Sequence, residues 1–394
     1  MQTISEFLSA YRADRTRPRD AIQALMAGLR ASDERNVWIR LLTDDELEPY
    51  LRCLEASEPE SLPLFGVPFA IKDNIDVAGI PTTAGCPDFA YTPAESAVVV
   101  QRLVAAGAVP VGKTNLDQFA TGLVGTRSPY GACGNAFDAQ ALAGGSSAGS
   151  GVAVALGQVA FALGTDTAGS GRVPAALNNI FGVKPTRGLL SMRGVVPACR
   201  SLDTVSVFAT TAGDARAVLD AAAGFDAEDP YARADEVPRL GRGRIPDAGF
   251  CFGVPRDKDL AFFGNDEAPG LFGEAVAGLQ AIGGTPVPID LNPFLEVARL
   301  LYQGPWLAER YAAIRSFIES QPDAMVPVTY GIIHAGGFPL AADAFAGQYR
   351  LRELQRVIER VWDDIDLVIT PTTGTTYTIA EEAAEPLELN SRLG

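Results

Sequence analysis

The sequence predicts an α/β fold built on a largely parallel or mixed sheet. Short apolar runs typical of buried strands alternate with longer stretches of helical periodicity over most of the chain. The 394 residues are 47% hydrophobic, which is enough to bury a large core in one or two domains. The sequence shows no internal repeat, so we expect one continuous succession of strands and helices.

The first sixty residues are predicted to be helical. Apolar residues between positions 22 and 29 follow the i, i+3, i+4, i+7 spacing of an amphipathic helix. The segment PLFGVPFAIKDNIDV (63–77) then has the pattern of a buried strand that runs into a polar turn. This change of pattern predicts an N-terminal helical part (1–60) followed by the first strand of the sheet.

A helix and a second strand are expected next. Thr92 and Glu95 have the spacing of a capping box, with Pro93 at the first helical position. They predict a helix that begins there and ends at Gly107. The apolar segment AVPVG (108–112) is predicted to be a short buried strand directly after that helix.

Residues 113–149 are rich in glycine, serine, threonine and asparagine, and a stretch of this length without periodicity is usually functional in a compact domain. Beyond it, helices are predicted at 150–157, 213–223, 270–284, 293–319 with a break at 304–305, and about 341–362. Strands are predicted at 159–164, 250–255, 286–290 and 365–372. The last residues, EEAAEPLELNSRLG, predict an exposed polar stretch, so we expect the domain to continue beyond them.

Charge and cysteine usage argue against several classes of function. A net charge of −16 repels phosphate backbones and anionic membranes, so neither nucleic acid nor a membrane is expected as a partner. Five scattered cysteines without a Cys-x-x-C pair, together with a single histidine, argue against a metal site. Because the chain has neither a membrane-spanning apolar run nor a secretory signal, we expect a soluble, cytoplasmic protein.

Two turns rich in glycine and serine, GGSSAGS (144–150) and GTDTAGSGR (164–172), are candidates to expose a nucleophilic hydroxyl. The first also fits the nucleophile elbow of α/β-hydrolases, with Ser147 as nucleophile and His334 as the only possible base. That interpretation lacks the strand that must precede an elbow. A phosphate loop is disfavoured because the G-x-x-x-x-G-K-[ST] pattern is absent, and a linker because apolar patterns bracket both turns.

The scarcity of lysine suggests a different base. The 32 basic residues include only four lysines, and lysine, unlike arginine, can lose its proton. They are Lys72, Lys113, Lys184 and Lys258. A desolvated, neutral lysine can activate a serine, and Lys72 stands where an apolar strand meets a polar turn. On spacing alone, a salt bridge between Lys72 and Asp73 or Asp76 is an equally good interpretation.

Six segments together resemble the amidase signature family, in the family's order over roughly residues 60–380. They are GVPFAIKDNIDVAG, GKTNLDQFATG, GGSSAGSGVAVA, LGTDTAGSGRVPAA, GVKPTRG and SLDTV. The resemblance implies one catalytic domain over 1–394, with a central mixed, twisted sheet flanked by helices on both faces. It also implies no cofactor, no metal and a homodimer. By comparison with the family, we expect the end of the domain and any following small domain to be absent.

The same resemblance implies amide hydrolysis through a Ser–Ser–Lys relay. Ser170 would be the nucleophile, Ser146 the bridging serine and Lys72 the base. An oxyanion hole would be formed by backbone N–H groups, because small residues in a tight turn let several donors converge on one oxygen. These N–H groups belong to Thr167, Ala168, Gly169 and Ser170.

Further residues near the two turns are interpreted as support. Asp166 and Arg172 flank the nucleophile and are either a supporting pair beside it or an ordinary surface ion pair of little value. Ser147 is expected to hold its loop rather than to react. Lys113 and Lys184 match positions of the family that belong to its scaffold.

Within the family, the segments AGSGRVPAALNN, LVGTRSPYG, VVPACRSLDTVSVFA and LYQGPWLAERYAAI resemble allophanate hydrolases. The substrate implied is a small anionic amide, allophanate (urea-1-carboxylate), hydrolysed to ammonia and carbon dioxide in urea or s-triazine nitrogen use. Tyr302 and Arg310 would hold its carboxylate, and the backbone near Gly122 would contact its other end. From the residues alone, Arg310 is instead a solvent-facing partner of Glu309 or another acid.

Two other functions remain open from the sequence. The chain could be a different amidase signature enzyme, either an aliphatic amidase or an amidotransferase subunit for misacylated tRNA, although the net charge of −16 disfavours tRNA. It could also be a truncated, non-catalytic scaffold that binds a small anion or a partner. The presence of Lys72, Ser146 and Ser170 together argues against the scaffold.

Overall fold

The computed structural model describes residues 3–31, 34–234 and 249–394, which form an α/β fold with two sheets. The strands are β1 (Trp38–Leu41), β2 (Pro68–Lys72), β3 (Val109–Thr114), β4 (Phe161–Thr165), β5 (Phe181–Val183), β6 (Val205–Ala209), β7 (Phe250–Pro255), β8 (Gly284–Ile289) and β9 (Leu367–Val368). The α-helices are α1 (Ile4–Arg12), α2 (Pro18–Ala31), α3 (Asp44–Glu55), α4 (Val98–Ala105), α5 (Ala148–Ala155), α6 (Arg172–Leu177), α7 (Ala212–Ala222), α8 (Ala268–Ala281), α9 (Asn292–Gln303), α10 (Leu307–Ser320), α11 (Pro327–Ala335), α12 (Ala341–Glu359), α13 (Ile379–Ala384) and α14 (Glu388–Ser391).

The central sheet has six strands in the order β1-β3-β2-β4-β6-β5 and is mixed, as predicted. β2 runs parallel to both β3 and β4, while the pairs β1–β3, β4–β6 and β5–β6 are antiparallel. Lys72 ends β2 and Thr165 ends β4. Because the carboxyl ends of neighbouring parallel strands meet at one edge of a sheet, both residues face the same edge.

The burial of the central strands explains their continuous apolar sequences. Every residue of β2, β3, β4 and β6 is buried, and strands covered on both faces require continuous apolar runs rather than alternation. The rings of Phe69 on β2 and Phe161 on β4 stack with their centroids 4.9 Å apart. The helices α5 and α7 pack against these strands, so the core encloses the strand ends that carry polar residues.

The second sheet is smaller and more exposed. Its three strands have the order β8-β7-β9 and are parallel. All residues of β8 and β9 except Ile289 are half-buried or exposed, and α8 beside β8 contains no buried residue among those described. The helices α9 and α12 pack on each other, as do α10 and α11. The predicted helix break at 304–305 is confirmed, since α9 ends at Gln303 and α10 begins at Leu307.

The prediction that residues 1–60 are helical is wrong for β1. Trp38–Leu41 adds an antiparallel edge strand to β3, where Leu41 pairs with Gly112. Edge pairing of this kind joins residues about seventy positions apart, so helical periodicity in the surrounding sequence carried no sign of it. The short strands β5 and β6 were also not predicted, and of the predicted strand 365–372 only Leu367–Val368 forms.

The predicted capping box at Thr92 and Glu95 is wrong as well. The helix begins five residues after Pro93, at Val98, and its first turn has no side-chain cap. Residues before it are held out of the helix by tertiary contacts: Gly79 N–H donates to Pro93 O at 2.9 Å and Ala78 N–H to Ser96 Oγ at 2.9 Å. Long-range hydrogen bonds therefore override a local helix signal.

Most residues of the C-terminal segment are exposed, as predicted, but the segment has regular structure. It forms α13 and α14, and Leu389 and Leu393 are buried, the latter with Leu123 and Val173. The sequence pattern gave no sign of these two helices because the few apolar residues of this segment pack individually rather than as a stripe. Among the helices of the described residues, none combines the length and apolar character required to cross a lipid bilayer.

Candidate active site

Lys72 is fully buried at the end of β2 and contacts two hydroxyl groups. Its Nζ lies 2.7 Å from Ser146 Oγ and 2.9 Å from Thr165 Oγ1 at the end of the neighbouring strand β4. Asn74 Nδ2 donates to the same Thr165 hydroxyl at 3.1 Å. The structure therefore brings the predicted base and the predicted bridging serine into direct contact.

The environment of Lys72 favours its neutral form. Burial is the main reason why the pKa of Lys72 falls from 10.5 to about 7, and the charge of Arg310 acts in the same direction. The negative charges of Asp117, Asp166 and Asp203 oppose this by raising the pKa, but burial is the larger effect. A substantial fraction of Lys72 is consequently unprotonated near neutral pH, as a general base requires.

The alternative salt bridge of Lys72 with Asp73 or Asp76 is wrong. Asp73 instead pairs with Lys113 at 2.9 Å, and both side chains are buried. Asp76 accepts a hydrogen bond from Tyr91 Oη at 2.7 Å. The two acids next to Lys72 in the sequence are thus already occupied, which leaves the lysine to its hydroxyl partners.

Ser147 ties the two glycine- and serine-rich turns together. Its Oγ donates to Thr165 O at 3.1 Å and accepts from Thr165 N–H at 3.3 Å, while its N–H donates to Ser170 O at 3.2 Å. These contacts agree with the expectation that Ser147 holds its loop. His334 lies on α11, where its ring stacks on Tyr330 with the centroids 5.0 Å apart, so within the described residues no hydrogen bond joins it to Ser147.

The turn that carries Ser170 is braced by a buried acid. Asp166 accepts two hydrogen bonds from the Arg172 guanidinium at 2.8 and 2.9 Å and one from Gly171 N–H at 3.1 Å. Lys184 Nζ donates to Asp166 O at 2.7 Å. Although burial raises the pKa of Asp166, Arg172 and Lys184 lower it below its ordinary value. Because the carboxylate is fully buried, this is not an ordinary surface pair.

The backbone of the same turn offers a row of unused donors. The N–H groups of Thr167, Ala168, Gly169 and Ser170 donate to no acceptor within the described residues, and the Ser170 hydroxyl forms no hydrogen bond there. The Thr167 hydroxyl donates to the buried carboxylate of Asp203 at 2.5 Å, which fixes one end of the turn. Since backbone N–H groups in folded proteins are almost always paired, four successive ones suit an external acceptor.

Arg310 is a buried cation without an acidic partner in the described part of the chain. Its Nη1 donates to Ala120 O at 3.2 Å and to Thr121 Oγ1 at 3.1 Å, and the residue is 7% exposed. Glu309 turns away and accepts from Ser201 N–H and Oγ, each at 2.6 Å. The interpretation of Arg310 as a solvent-facing partner of Glu309 is therefore wrong.

The other two predicted substrate contacts lie nearby. Gly122 directly follows the residues that Arg310 binds. Tyr302, on α9, is 39% exposed as a whole residue. Burial of its phenol group raises the pKa of that group, and the charge of Arg310 lowers it. Tyr302 and Arg310 are thus within electrostatic reach of each other, which the helix break between them did not allow the sequence to establish.

Sequence reasoning missed three polar residues of this site: Thr165, Asn74 and Asp117. Thr165 and Asn74 contact Lys72 or its partner, and Asp117 is fully buried in the loop that carries Gly122. Their only signal is a polar residue beside a strand end or inside a glycine-rich segment. Such a signal names no partner, because the groups they contact are distant in the sequence.

The chain is similar to known proteins over most of its length. The model of the Amidase family matches residues 20–393. Urea amidolyase of Saccharomyces cerevisiae is 44% identical over 377 residues, which are 95% of this chain and 20% of that protein. The chain thus spans about a fifth of the length of that curated relative.

This chain covers a larger share of two further relatives. The solved structure of Kluyveromyces lactis allophanate hydrolase is 42% identical, with a TM-score of 0.91 over 100% of this chain and 64% of that one. One subunit of the glutamyl-tRNA(Gln) amidotransferase of Lacticaseibacillus paracasei is 32% identical over 419 residues, covering 98% of this chain and 85% of that protein. The similarity therefore extends over the whole fold and includes the segments that hold the site.

Proposed function

This chain belongs to the amidase family, and on that premise we propose that it is an amidohydrolase that hydrolyses allophanate to ammonia and carbon dioxide. The observation that carries the proposal is the contact between the buried Lys72 and Ser146, at 2.7 Å, beside the turn that bears Ser170. The similarity to urea amidolyase and to allophanate hydrolase supports the choice of substrate. The chemistry and the recognition of the substrate can each be derived from the residues present.

The chemistry begins with a proton relay. Neutral Lys72 takes the proton of Ser146, and Ser146 takes the proton of Ser170 as the Ser170 oxygen attacks the amide carbonyl. The relay then runs backwards and protonates the leaving nitrogen, so that ammonia departs and an acyl-enzyme remains. Water, deprotonated by the same relay, hydrolyses the acyl-enzyme, which restores Ser170 and releases N-carboxycarbamate. This product loses carbon dioxide to give carbamate, which breaks down to the second ammonia and a second carbon dioxide.

The oxyanion of each tetrahedral intermediate is assigned to the free N–H groups of Thr167, Ala168, Gly169 and Ser170. Their hydrogen bonds strengthen as negative charge develops on the carbonyl oxygen, and one such donor typically lowers the barrier by about 3–4 kcal/mol. The brace of Asp166 with Arg172 and Lys184 keeps this turn in shape before the substrate arrives. Donors that are already in place need no reorganisation during the reaction.

Recognition of a small anion is assigned to residues outside the relay. Arg310 is a buried guanidinium whose carboxylate partner is supplied by no described residue, and a planar fork matches a carboxylate. In a protein of net charge −16, an anionic substrate needs such a local cation. We assign Tyr302 to the same carboxylate and the backbone at Gly122 to the other end of the substrate.

A second candidate is amide hydrolysis within an amidotransferase, since a glutamyl-tRNA(Gln) amidotransferase subunit is 32% identical over nearly the whole chain. An aliphatic amidase would use the same relay. Both differ from the leading proposal in the amide that is cleaved. The overall negative charge disfavours tRNA.

The test is ammonia release from freshly prepared allophanate by the purified protein, compared with a neutral amide and with the Ser170→Ala variant. We expect release by the wild type with allophanate preferred, and a loss of about 10⁴-fold or more in the variant. Equal release by Ser170→Ala would contradict the assigned nucleophile. A folded wild type that hydrolyses only the neutral amide would move the function to the second candidate.

We also propose that residues 1–394 act as a single catalytic domain, as a homodimer in the cytoplasm, within urea or s-triazine nitrogen use. Family membership supports these proposals, and a reaction that consumes allophanate fits either nitrogen source. Light scattering of the purified protein tests the homodimer, and a mass of one chain would contradict it.

A further inference from the structure

Asp117 is a fully buried carboxylate to which the proposed relay assigns no role. It lies between β3 and α5 and accepts backbone hydrogen bonds from Val124 at 3.1 Å, Gly125 at 3.0 Å and Arg127 at 3.0 Å. Those donors follow it by seven to ten residues, so the carboxylate closes residues 117–127 into a loop. We call residues 117–127 the substrate loop, because they contain Gly122.

Two buried guanidinium groups, one of them from the loop itself, also hold this segment. Arg127 Nη1 donates to Thr121 O at 3.1 Å, and its Nη2 donates to Pro386 O. Arg310 Nη1 donates to Ala120 O at 3.2 Å. Two successive backbone carbonyl groups just before Gly122 are thereby held, and Asp117 holds the N–H groups that follow it.

Asp117 also touches the other side of the site. A Cβ atom built on Gly122 would lie 2.5 Å from Asp117 Oδ2, and one built on Gly145 would overlap the same oxygen. The Asp117 N–H donates to Ser146 O at 3.0 Å. One carboxylate therefore lies between Gly122, assigned to the substrate, and the Gly145–Ser146 segment, assigned to the relay, and only glycine leaves room for it on both sides.

We infer that Asp117 is a positioning residue that sets the distance between the substrate loop and the Ser146–Lys72 relay. The inference rests on the proposed function, because it takes Gly122 as a substrate contact and Lys72 as the base. A shift of the carboxylate would move Gly122 and Ser146 relative to each other. Since the reacting atoms must be placed within a fraction of an ångström, such a shift affects both KM and kcat.

The charge of Asp117 gives this role a second readout. After burial, the electrostatic effect of Asp117 is the largest on the pKa of Lys72, and it raises that pKa. Asp166 and Asp203 act in the same direction and Arg310 in the opposite one. Removing the charge of Asp117 lets the pKa of Lys72 fall, so the pH below which the base becomes protonated also falls.

The experiment compares Asp117→Asn with Asp138→Asn, the same change at an exposed acid of the same glycine-rich segment. Asparagine has about the size of aspartate but only one side-chain oxygen. The backbone N–H groups that donate to the two carboxylate oxygens of Asp117 would therefore have one acceptor instead of two. We expect KM for allophanate to rise about tenfold in Asp117→Asn, the value of roughly one hydrogen bond, and to stay within about twofold in Asp138→Asn. We also expect the acid limb of kcat/KM to move to lower pH by about one unit in the first variant only.

Labelling of Ser170 by a serine-directed phosphonate separates this inference from the proposed function. Its rate depends on the relay and not on the identity of the amide, so its acid limb should shift in Asp117→Asn even if allophanate is not the substrate. Wild-type hydrolysis of allophanate tests the function. An acid limb and KM that both match the wild type in folded Asp117→Asn would overturn the role of Asp117.

Arg127→Lys keeps the inference testable if Asp117→Asn does not fold. Lysine retains the positive charge but cannot reach both Thr121 O and Pro386 O, so the substrate loop loosens while Asp117 keeps its charge near Lys72. We expect KM to rise about threefold or more with no movement of the acid limb. An unchanged KM would show that the position of the loop does not control the site and would overturn the inference.

Discussion

The two sheets of this protein support two different tasks. All residues of β2, β3, β4 and β6 in the central sheet are buried, whereas most residues of β8, β9 and the helix α8 in the small sheet region are exposed or half-buried. The groups assigned to the relay stand on or beside central strand ends. Tyr302 and Arg310, assigned to the substrate, come from helices of the less buried part.

The difference shows why chemistry and recognition are placed apart. Exclusion of water lowers the pKa of a lysine most strongly, and the end of a strand covered on both faces provides that environment. An arginine that binds an anion needs no lowered pKa, because it must keep its charge. A helix outside the central sheet can therefore carry Arg310, while Lys72 depends on the buried end of a central strand.

The largest effect on activity is expected from Lys72→Met, which keeps the length of the side chain and removes the base. We expect kcat to fall about 10⁴-fold or more with little change in KM, because the variant loses a group of the relay and no assigned substrate contact. Lys258→Met, at an exposed lysine, is the matched control and should retain wild-type rates. If kcat of Lys72→Met fell by less than about tenfold, Lys72 could not be the base of the relay.

The free energy of unfolding gives a second comparison of the two sheets. Phe161→Ala removes a fully buried ring that stacks on Phe69, and we expect it to lower the free energy of unfolding by about 3–5 kcal/mol. Phe250→Ala, on the half-buried start of β7, should cost less than half as much. Urea denaturation measures both. Equal losses would show that the small sheet is as tightly packed as the central one.

Arg310→Met tests recognition in the less buried part. We expect kcat/KM for allophanate to fall about 10²-fold, mainly through KM, because a substrate carboxylate loses a buried charged partner worth about 2–3 kcal/mol. A neutral amide should be affected much less. Arg315→Met, an exposed residue of the same helix that pairs with Glu319 at 3.0 Å, is the control. Equal losses with both substrates would contradict the assignment of the carboxylate to Arg310.

The smallest and most gradual effect is the response to pH. The pKa of Lys72 is lowered from 10.5 to about 7, and only the neutral form accepts a proton. We therefore expect kcat/KM to be constant above about pH 7 and to fall about tenfold for each pH unit below it. A profile that keeps rising up to about pH 10 would mean that Lys72 keeps an ordinary pKa and that burial does not tune the base.

Much of the fold was predictable because its strands are continuous apolar runs between glycine-rich turns. β2, β3, β4 and β7 were predicted for this reason. The edge strand β1 and the late start of α4 were not, because strand pairing and long-range hydrogen bonds decided them. In both cases the deciding partner is far away in the sequence.

The sequence by itself determined which groups are available: four lysines, two serine-bearing turns and a strand that ends at Lys72. Only the tertiary structure decided what these groups can do. It paired Asp73 with Lys113, left Lys72 against Ser146, and buried Arg310 without a salt bridge to any described acid. The physical reason is that desolvation and electrostatic energy depend on distances in space, and residues far apart along the chain set those distances.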